Sequence, residues 1–126
     1  MNKQITEDFV SFEIAKLLKE KGFDIPCRQA YFNGSLVDYT MYGFCDGELL
    51  DCPSQSLALK WLREVHDLHI VVYPWQADNE EKAIHWCCTV YKAFAHLGND
   101  VYTNETPKSY EEAVEAALKY TLENLI

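Results

Sequence analysis

The sequence predicts an α+β domain in which three helices pack on a mainly antiparallel sheet of about 4–6 strands, in the order α-β-β-(β)-α-β-β-(β)-α. Three observations predict this class. Apolar residues recur at helical spacing near both ends of the chain and near its middle. Runs of strand-forming residues lie between these segments. One pair of runs is joined by Asn33-Gly34, a strong hairpin signal.

Length and composition predict a single compact domain over residues 1–126. A chain of 126 residues has the length of one domain, and 48% of its residues are hydrophobic. That apolar content is too high for a disordered chain, so we expect it to fold without disulfides or a metal.

The first helix is predicted over residues 11–22. Ser11 can accept hydrogen bonds from the first free N–H groups, and Gly22 can take the left-handed position that ends a helix. One apolar stripe runs along it: Ile14, Ala15, Leu17 and Leu18. A hairpin follows over residues 28–32 and 36–43, and residues 48–51 are either a short third strand or a loop.

The second helix is predicted to begin near Ser54, and its apolar face comprises Leu57, Ala58, Trp61, Leu62 and Val65. A β-prone strand follows from His69 to Trp75, and residues 76–81 form a polar turn. Residues 82–93 then alternate as a central strand does. One face would carry Ile84, Trp86, Cys88 and Val90; the other would carry His85, Cys87, Thr89 and Tyr91.

The last third is predicted as a turn, an edge strand and a helix. Residues 97–100 resemble a turn, and residues 101–103 an edge strand. Ser109 and Glu112 form a capping box that opens the final helix. Its apolar side comprises Ala113, Val114, Ala117, Leu118, Thr121 and Leu125.

An echo links the first two helices. Lys16-Leu17-Leu18-Lys19-Glu20 reappears forty-four residues later as Lys60-Trp61-Leu62-Arg63-Glu64, and Asn33-Gly34 falls opposite Ala77-Asp78 at the same offset. Either the chain contains an internal pseudo-repeat, or two amphipathic helices resemble one another through composition alone. A true repeat predicts that the two helix–hairpin units superpose by a rotation within one sheet.

The net charge of −9 argues against two classes of partner. An acidic surface repels phosphate backbones and anionic lipids, so we expect neither nucleic-acid nor membrane binding. The charge serves either solubility or, as a sharper alternative, mimicry of nucleic acid toward a basic groove. No signal peptide and no membrane-spanning stretch is apparent, so the five cysteines are expected to be reduced thiols in the cytoplasm.

No motif predicts a metal, a cofactor or a catalytic site. The cysteines at 27, 45, 52, 87 and 88 lack the spacing of a structural zinc site. His85 and Cys87 would share a strand face about 7 Å apart, too far for a hydrogen bond by themselves. The acidic pairs Asp46 with Glu48 and Glu80 with Glu81 are typical of solvated loops.

The strand aromatics point instead to a binding surface. Without surrounding lysine or arginine they do not fit a platform for bases, and they fit core packing or a protein-binding face better. The candidate interaction residues are Tyr73, Trp75, Tyr91, His85 and Cys87. We expect an unknown protein partner, and a homo-oligomer is compatible with the same surface.

Three segments resemble a family of small uncharacterised proteins from gut bacteria of the Bacteroides group and their phages and prophages. They are Val10–Phe23, Lys60–His66 followed by Leu68–Ile70, and Ser109–Ala113. Residues 24–53 are the least similar. The family has no assigned activity, so the resemblance implies no functional residue; it implies an intracellular setting connected with mobile elements.

The sequence therefore favours a non-enzymatic accessory protein of phage or prophage type that acts by protein–protein interaction. One alternative is a small enzyme or ligand-binding domain that uses the His85/Cys87 face. A second alternative is an acidic nucleic-acid mimic or inhibitor.

Overall fold

The computed structural model describes residues 5–38, 49–75, 85–92, 95–100 and 109–126. The elements are α1 (Phe12–Glu20), β1 (Gln29–Phe32), β2 (Ser35–Asp38), β3 (Leu50–Asp51), α2 (Gln55–His66), β4 (Leu68–Trp75), β5 (His85–Lys92), β6 (Ala95–Asp100) and α3 (Tyr110–Asn124). The predicted α+β class is confirmed. The strands form two antiparallel sheets, β2-β1-β3 and β4-β5-β6, where the sequence analysis expected one.

The chain divides into two compact units, Met1–Ala58 and Leu59–Ile126, which we call the first and second units. The expectation of one domain over residues 1–126 stays a prediction. Among the described residues, no helix is both long and apolar enough to cross a membrane.

Helix α1 has the ends that the sequence predicted. The Oγ atom of Ser11 accepts a hydrogen bond from the Ile14 N–H at 3.2 Å. At the other end, Gly22 has φ +98°. Its N–H donates to the Lys19 carbonyl, while the Phe23 N–H donates to the Leu18 carbonyl. This pair of bonds is a Schellman motif, and it buries the Phe23 ring.

The predicted first hairpin is present as β1 and β2. Phe32 lies opposite Ser35, so the loop is Asn33-Gly34. Both loop residues have left-handed backbones, with φ 51° and 81°, as a type I′ turn requires. Strand β3 pairs with β1, placing Asp51 opposite Ala30, so residues 50–51 form the short strand and not a loop. Residues 39–48, including Cys45 and the Asp46/Glu48 pair, lie outside the described residues.

A short bridge ties the N-terminal segment of the first unit to residues 53–55. Phe9 lies antiparallel to Ser54. The Val10 N–H donates to the Pro53 carbonyl at 3.1 Å, and the Gln55 N–H donates to the Asp8 carbonyl at 2.8 Å. Val10 is completely buried as a result. No local pattern predicted this pairing, because its partners are more than forty residues apart in the chain.

Helix α2 begins where it was expected, and the residue that follows it has an unusual backbone conformation. Ser54 caps it by accepting from the Leu57 N–H at 3.1 Å. Ala58, Trp61 and Leu62 are buried, but Val65, predicted on the same face, is 60% exposed. That prediction was wrong, since Val65 stands in the last turn. Asp67, with φ 56°, alone separates α2 from β4.

In the second unit, β5 is the central strand, as its alternation predicted. Helix α3 packs on β4 and β5, and Ser109 caps it by accepting from the Glu112 N–H at 3.1 Å. Leu122 is fully buried, whereas Leu125 is only half-buried. The expected apolar side of α3 is otherwise confirmed: Ala113, Val114, Ala117, Leu118 and Thr121 are buried.

The predicted turn at residues 97–100 was wrong. These residues belong to β6, where Asn99 pairs with Val90 and Asp100 with Thr89. Glycine, asparagine and aspartate are poor strand formers, but pairing with a central strand outweighs local preference. The edge strand predicted at residues 101–103 lies outside the described residues.

The forty-four-residue echo does not meet the geometric condition for a repeat. The two hairpins lie in different sheets. Eight residues separate α1 from β1, whereas Asp67 alone separates α2 from β4. Ala77-Asp78, the counterpart of Asn33-Gly34, lies outside the described residues. The echo therefore reflects the composition of two amphipathic helices.

Candidate functional site

The register of β4 against β5 gathers the residues predicted for an interaction surface. Opposed positions in an antiparallel pair belong to the same face of the sheet. Tyr73 lies opposite Cys87, and Trp75 lies opposite His85. Tyr91 alternates in phase with these β5 positions, so all five share one face. We call it the outer face, and its β4 and β5 positions are His69, Val71, Tyr73, Trp75, His85, Cys87, Thr89 and Tyr91.

The outer face exposes large apolar groups. Val71 is 45% exposed, Tyr73 40% and Tyr91 36%. His85 and Cys87 are half-buried. The smaller Thr89, in the middle of the central strand, is buried. The side chain of Trp75 lies outside the described part of the structure. Several exposed aromatic and aliphatic groups thus lie together on one surface. They differ in this from the single exposed apolar residues that are common on protein surfaces.

The opposite face of the same strands packs on α3. Cys88 and Val90 are buried there. The rings of Trp86 and Tyr110 meet edge to face, with centroids 5.6 Å apart and planes at 86°. The predicted alternation of residues 85–91 is thereby confirmed. It also separates Cys87 from Cys88, which cannot bind one metal from opposite faces of a strand.

One histidine of the outer face has a carboxylate partner that sequence reasoning missed. The Nε2 atom of His69 lies 3.1 Å from an Asp67 carboxylate oxygen, and both side chains are about 40% exposed. The left-handed backbone of Asp67 turns its side chain back toward the start of β4. An Asp-x-His sequence directly after a helix is the signal that could have indicated it. An exposed pair of this kind orients the imidazole and adds little stability.

His66 is placed differently from His69, although the two have metal-like spacing in the sequence. Its ring meets the Trp61 ring edge to face, with centroids 4.7 Å apart. Its Nε2 atom is buried and has no hydrogen-bond partner among the described residues. The chain leaves the helix between the two histidines. Among the described residues, no three His, Cys, Asp or Glu side chains converge as a metal site requires.

A second thiol, Cys27, lies in the first unit beside a polar cavity of about 410 Å³. Burial raises the pKa of the Cys27 thiol from 9.0 to about 11, and the neighbouring Asp51 carboxylate adds to the rise. The thiol donates to the Ile25 carbonyl at 3.3 Å. Since a thiolate is the nucleophilic form, the raised pKa makes Cys27 less reactive at neutral pH than an unperturbed thiol. An ion pair between Arg28 and Asp38, at 3.5 Å, also lines this cavity.

A further cavity of about 380 Å³ lies between α1 and the first sheet. On the helix side, the lining includes a stripe of three residues spaced about one turn apart: Phe12, Lys16 and Lys19. Sequence reasoning missed this stripe because it followed only the buried face of α1. The spacing of one aromatic residue and two lysines at i, i+4 and i+7, which places them on one helix face, was the signal that could have indicated this stripe.

Comparisons of the chain with protein-family models, with curated proteins and with solved structures found no match. The resemblance to the Bacteroides-group family stays a prediction, as does the intracellular setting that it implies.

Proposed function

We propose that the chain is a non-enzymatic interaction protein that binds a protein partner through the outer face. The observation that carries this proposal is the register of β4 and β5, which gathers Tyr73, Trp75, His85, Cys87 and Tyr91 on one face. From the family resemblance we propose the setting as well: an accessory protein of phage or prophage type in the cytoplasm of a Bacteroides-group cell.

The chemistry of the outer face supports a protein partner. None of its eight β4 and β5 positions is Asp, Glu, Lys or Arg, although 31 of the 126 residues are charged. Depletion of charge and enrichment of aromatic residues characterise the centres of protein interfaces. Tyrosine adds a large apolar ring and a hydroxyl at little cost in conformational entropy. The partner surface should accordingly be apolar or aromatic at its centre.

The rigidity of the sheet also favours recognition. Strand β5 pairs on both sides, and its other face is buried under α3. The outer face is thus held in one geometry before a partner arrives, which lowers the entropic cost of binding. Val71 and Tyr73 project from β4, the edge strand that pairs with β5.

Photocrosslinking in cells that encode the protein tests this proposal. A benzophenone amino acid in place of Val71 should give an adduct with one defined protein, because this position lies on the outer face. The same amino acid in place of Glu64, which is exposed on α2, is the matched control and should not give that adduct. An adduct between two copies would identify the partner as the chain itself.

A second substitution separates binding from folding. Tyr73→Ala, added to the Val71 crosslinker, should abolish the adduct while the melting temperature falls by less than about 10 °C, since a 40% exposed ring contributes only part of its burial energy. Equal adducts from positions 71 and 64, or an adduct that survives Tyr73→Ala, would contradict the proposal. A large fall in melting temperature would assign Tyr73 to the core instead.

A further inference from the structure

A groove in the first unit combines an aromatic wall with two ammonium groups. We call it the α1 groove; it encloses about 380 Å³, within the range of small-molecule sites. Helix α1 contributes Phe12, Lys16, Lys19 and Glu20, and the sheet contributes Tyr31 and Leu50. The Asn33-Gly34 turn also lines it. The described lining of this groove belongs to the first unit, whereas the outer face belongs to the second.

The aromatic wall is fixed in place. The rings of Phe12 and Tyr31 meet edge to face, with centroids 5.4 Å apart and planes at 83°. The Tyr31 hydroxyl donates to the Val10 carbonyl at 2.9 Å, which holds that ring against the start of α1. Phe12 remains 44% exposed. An aromatic ligand could therefore pack on this pair and remove its exposed carbon from water.

The apolar surface continues along the sheet. Leu50 of β3 lies opposite Tyr31, and so does Leu36 of β2 on the other side. Cross-strand partners share a face, so these three residues form one apolar row. Leu36 is 44% exposed. The row is long enough to underlie a bicyclic ring rather than a single methyl group.

The charges of the groove select for an anion of low charge. The Nζ atom of Lys16 lies 5.7 Å from the centroid of the Phe12 ring, within cation–π range, so an ammonium is held beside the aromatic wall. Two lysines against the one carboxylate of Glu20 give the described lining a net charge of +1. The whole chain carries −9, which opposes a polyanion at longer range.

We propose that the α1 groove binds a small aromatic monoanion, of the aryl carboxylate class. Its ring packs on the aromatic pair, and its carboxylate lies at the two lysines. A neutral aromatic compound would pack on the aromatic pair but make no charge-assisted contact with the ammonium groups, and a polyphosphate would meet the repulsion of the acidic chain. A flat monoanion satisfies both the apolar row and the local charge.

Titration of the full chain with 2-naphthoate, followed by nitrogen–proton NMR, tests this inference. Saturable shifts should appear at the amides of Lys16, Asn33, Gly34 and Leu50, which line the groove. The neutral isostere 2-naphthylmethanol should bind at least about tenfold more weakly, because it lacks the charge-assisted contact. Equal affinities for the two compounds, shifts centred on the second unit, or no saturable binding would overturn the proposal.

Two variants localise the site. Lys16→Gln with Lys19→Gln should raise the Kd for 2-naphthoate at least about tenfold. Lys60→Gln with Lys119→Gln makes the same change of net charge at exposed positions outside the groove and should change the Kd by less than about twofold. Phe12→Leu should weaken binding about fivefold while a thermal melt shows a folded chain. If the two double lysine variants changed the Kd equally, the binding would depend on net charge and not on the groove, and the proposed site would be wrong.

Discussion

Thr121 places a hydroxyl in the core of the second unit. Its side chain is fully buried on α3, and its Oγ1 atom has no hydrogen-bond partner in the described structure. A buried polar group without a partner keeps its desolvation penalty. Its neighbours along the helix face, Ala117 and Leu118, are fully buried apolar residues, so the position suits an apolar side chain of the same shape.

Thr121→Val should therefore stabilise the chain, by about 1 kcal/mol, because it removes the unpaired hydroxyl and keeps the branched shape. Thr121→Ser is the matched control: it keeps the hydroxyl, loses a buried methyl and should destabilise by about 1 kcal/mol. Urea denaturation measures both. A Val variant less stable than the natural protein would mean that the hydroxyl is paired in solution.

Cys27 gives a pH-dependent prediction. Its thiol pKa of about 11 means that the folded chain holds this proton where an unfolded chain, at 9.0, releases it. The contribution to stability is complete below pH 9 and is lost as the pH rises toward 11. Between pH 7 and 9, alkylation of Cys27 by iodoacetamide should be slower than that of a free thiol.

Asp51→Asn provides the control for Cys27, since it removes the carboxylate that adds to the raised pKa. The alkylation rate should then rise at a lower pH, as mass spectrometry of the Cys27 peptide would show. Burial is the larger cause, so the shift should be only partial. An unchanged pH profile would show that burial acts alone.

Among the strands, Pro74 indicates which N–H groups of β4 point toward β5; we call this alternation the hydrogen-bonding phase of β4. This strand lies at the edge of its sheet, yet its register with β5 runs without a break through Pro74 opposite Trp86. Proline has no N–H, so it fits an edge strand only where that position faces away from the neighbour. Alternation then turns the Val72 N–H outward and the Val71 N–H toward β5.

This phase predicts opposite tolerances for proline at adjacent positions. Val72→Pro should cost about 1–2 kcal/mol through lost packing, whereas Val71→Pro should cost about 3 kcal/mol or more because it removes a ladder bond. Burial alone predicts the reverse, since Val71 is 45% exposed and Val72 is half-buried. Thermal melts of the two variants decide between them.

Elements marked by local side-chain chemistry were predictable from the sequence. Ser11, Ser54 and Ser109 each cap a helix through a side-chain oxygen, and Asn33-Gly34 tolerates the left-handed turn. Strand β6 was missed because its stability comes from pairing with β5, which its own residues do not encode. The alternation of β5 predicted its two faces, but only the position of α3 shows which one is covered.

The described strands form two small sheets where periodicity suggested one. Strand periods show that strands exist and which residues alternate, but they do not show which strands are neighbours. Such pairing is decided by contacts distant in the sequence, such as β1 with β3. The α1 groove could not be predicted from the sequence for the same reason, because it forms only when Phe12 of the helix packs beside Tyr31 of the sheet.

The net charge of −9 should make stability depend on salt. Self-repulsion of an acidic chain is screened as the Debye length falls, so raising NaCl from about 0.01 to 0.3 M should raise the melting temperature by a few degrees. Glu123→Lys, at an exposed position, lowers the net charge to −7 (−9 plus 2) and should reduce this increment. A melting temperature that falls with salt would contradict the prediction.

The bridge between residues 8–10 and 53–55 has a consequence for biosynthesis. Helix α1 and the first hairpin are local, so each can form soon after its residues leave the ribosome. Asp8 and Val10 must wait for Gln55 and Pro53, their hydrogen-bond partners. The apolar Val10 side chain therefore stays open to water, or to a chaperone, until translation has passed Gln55 and the emerging chain can close over it.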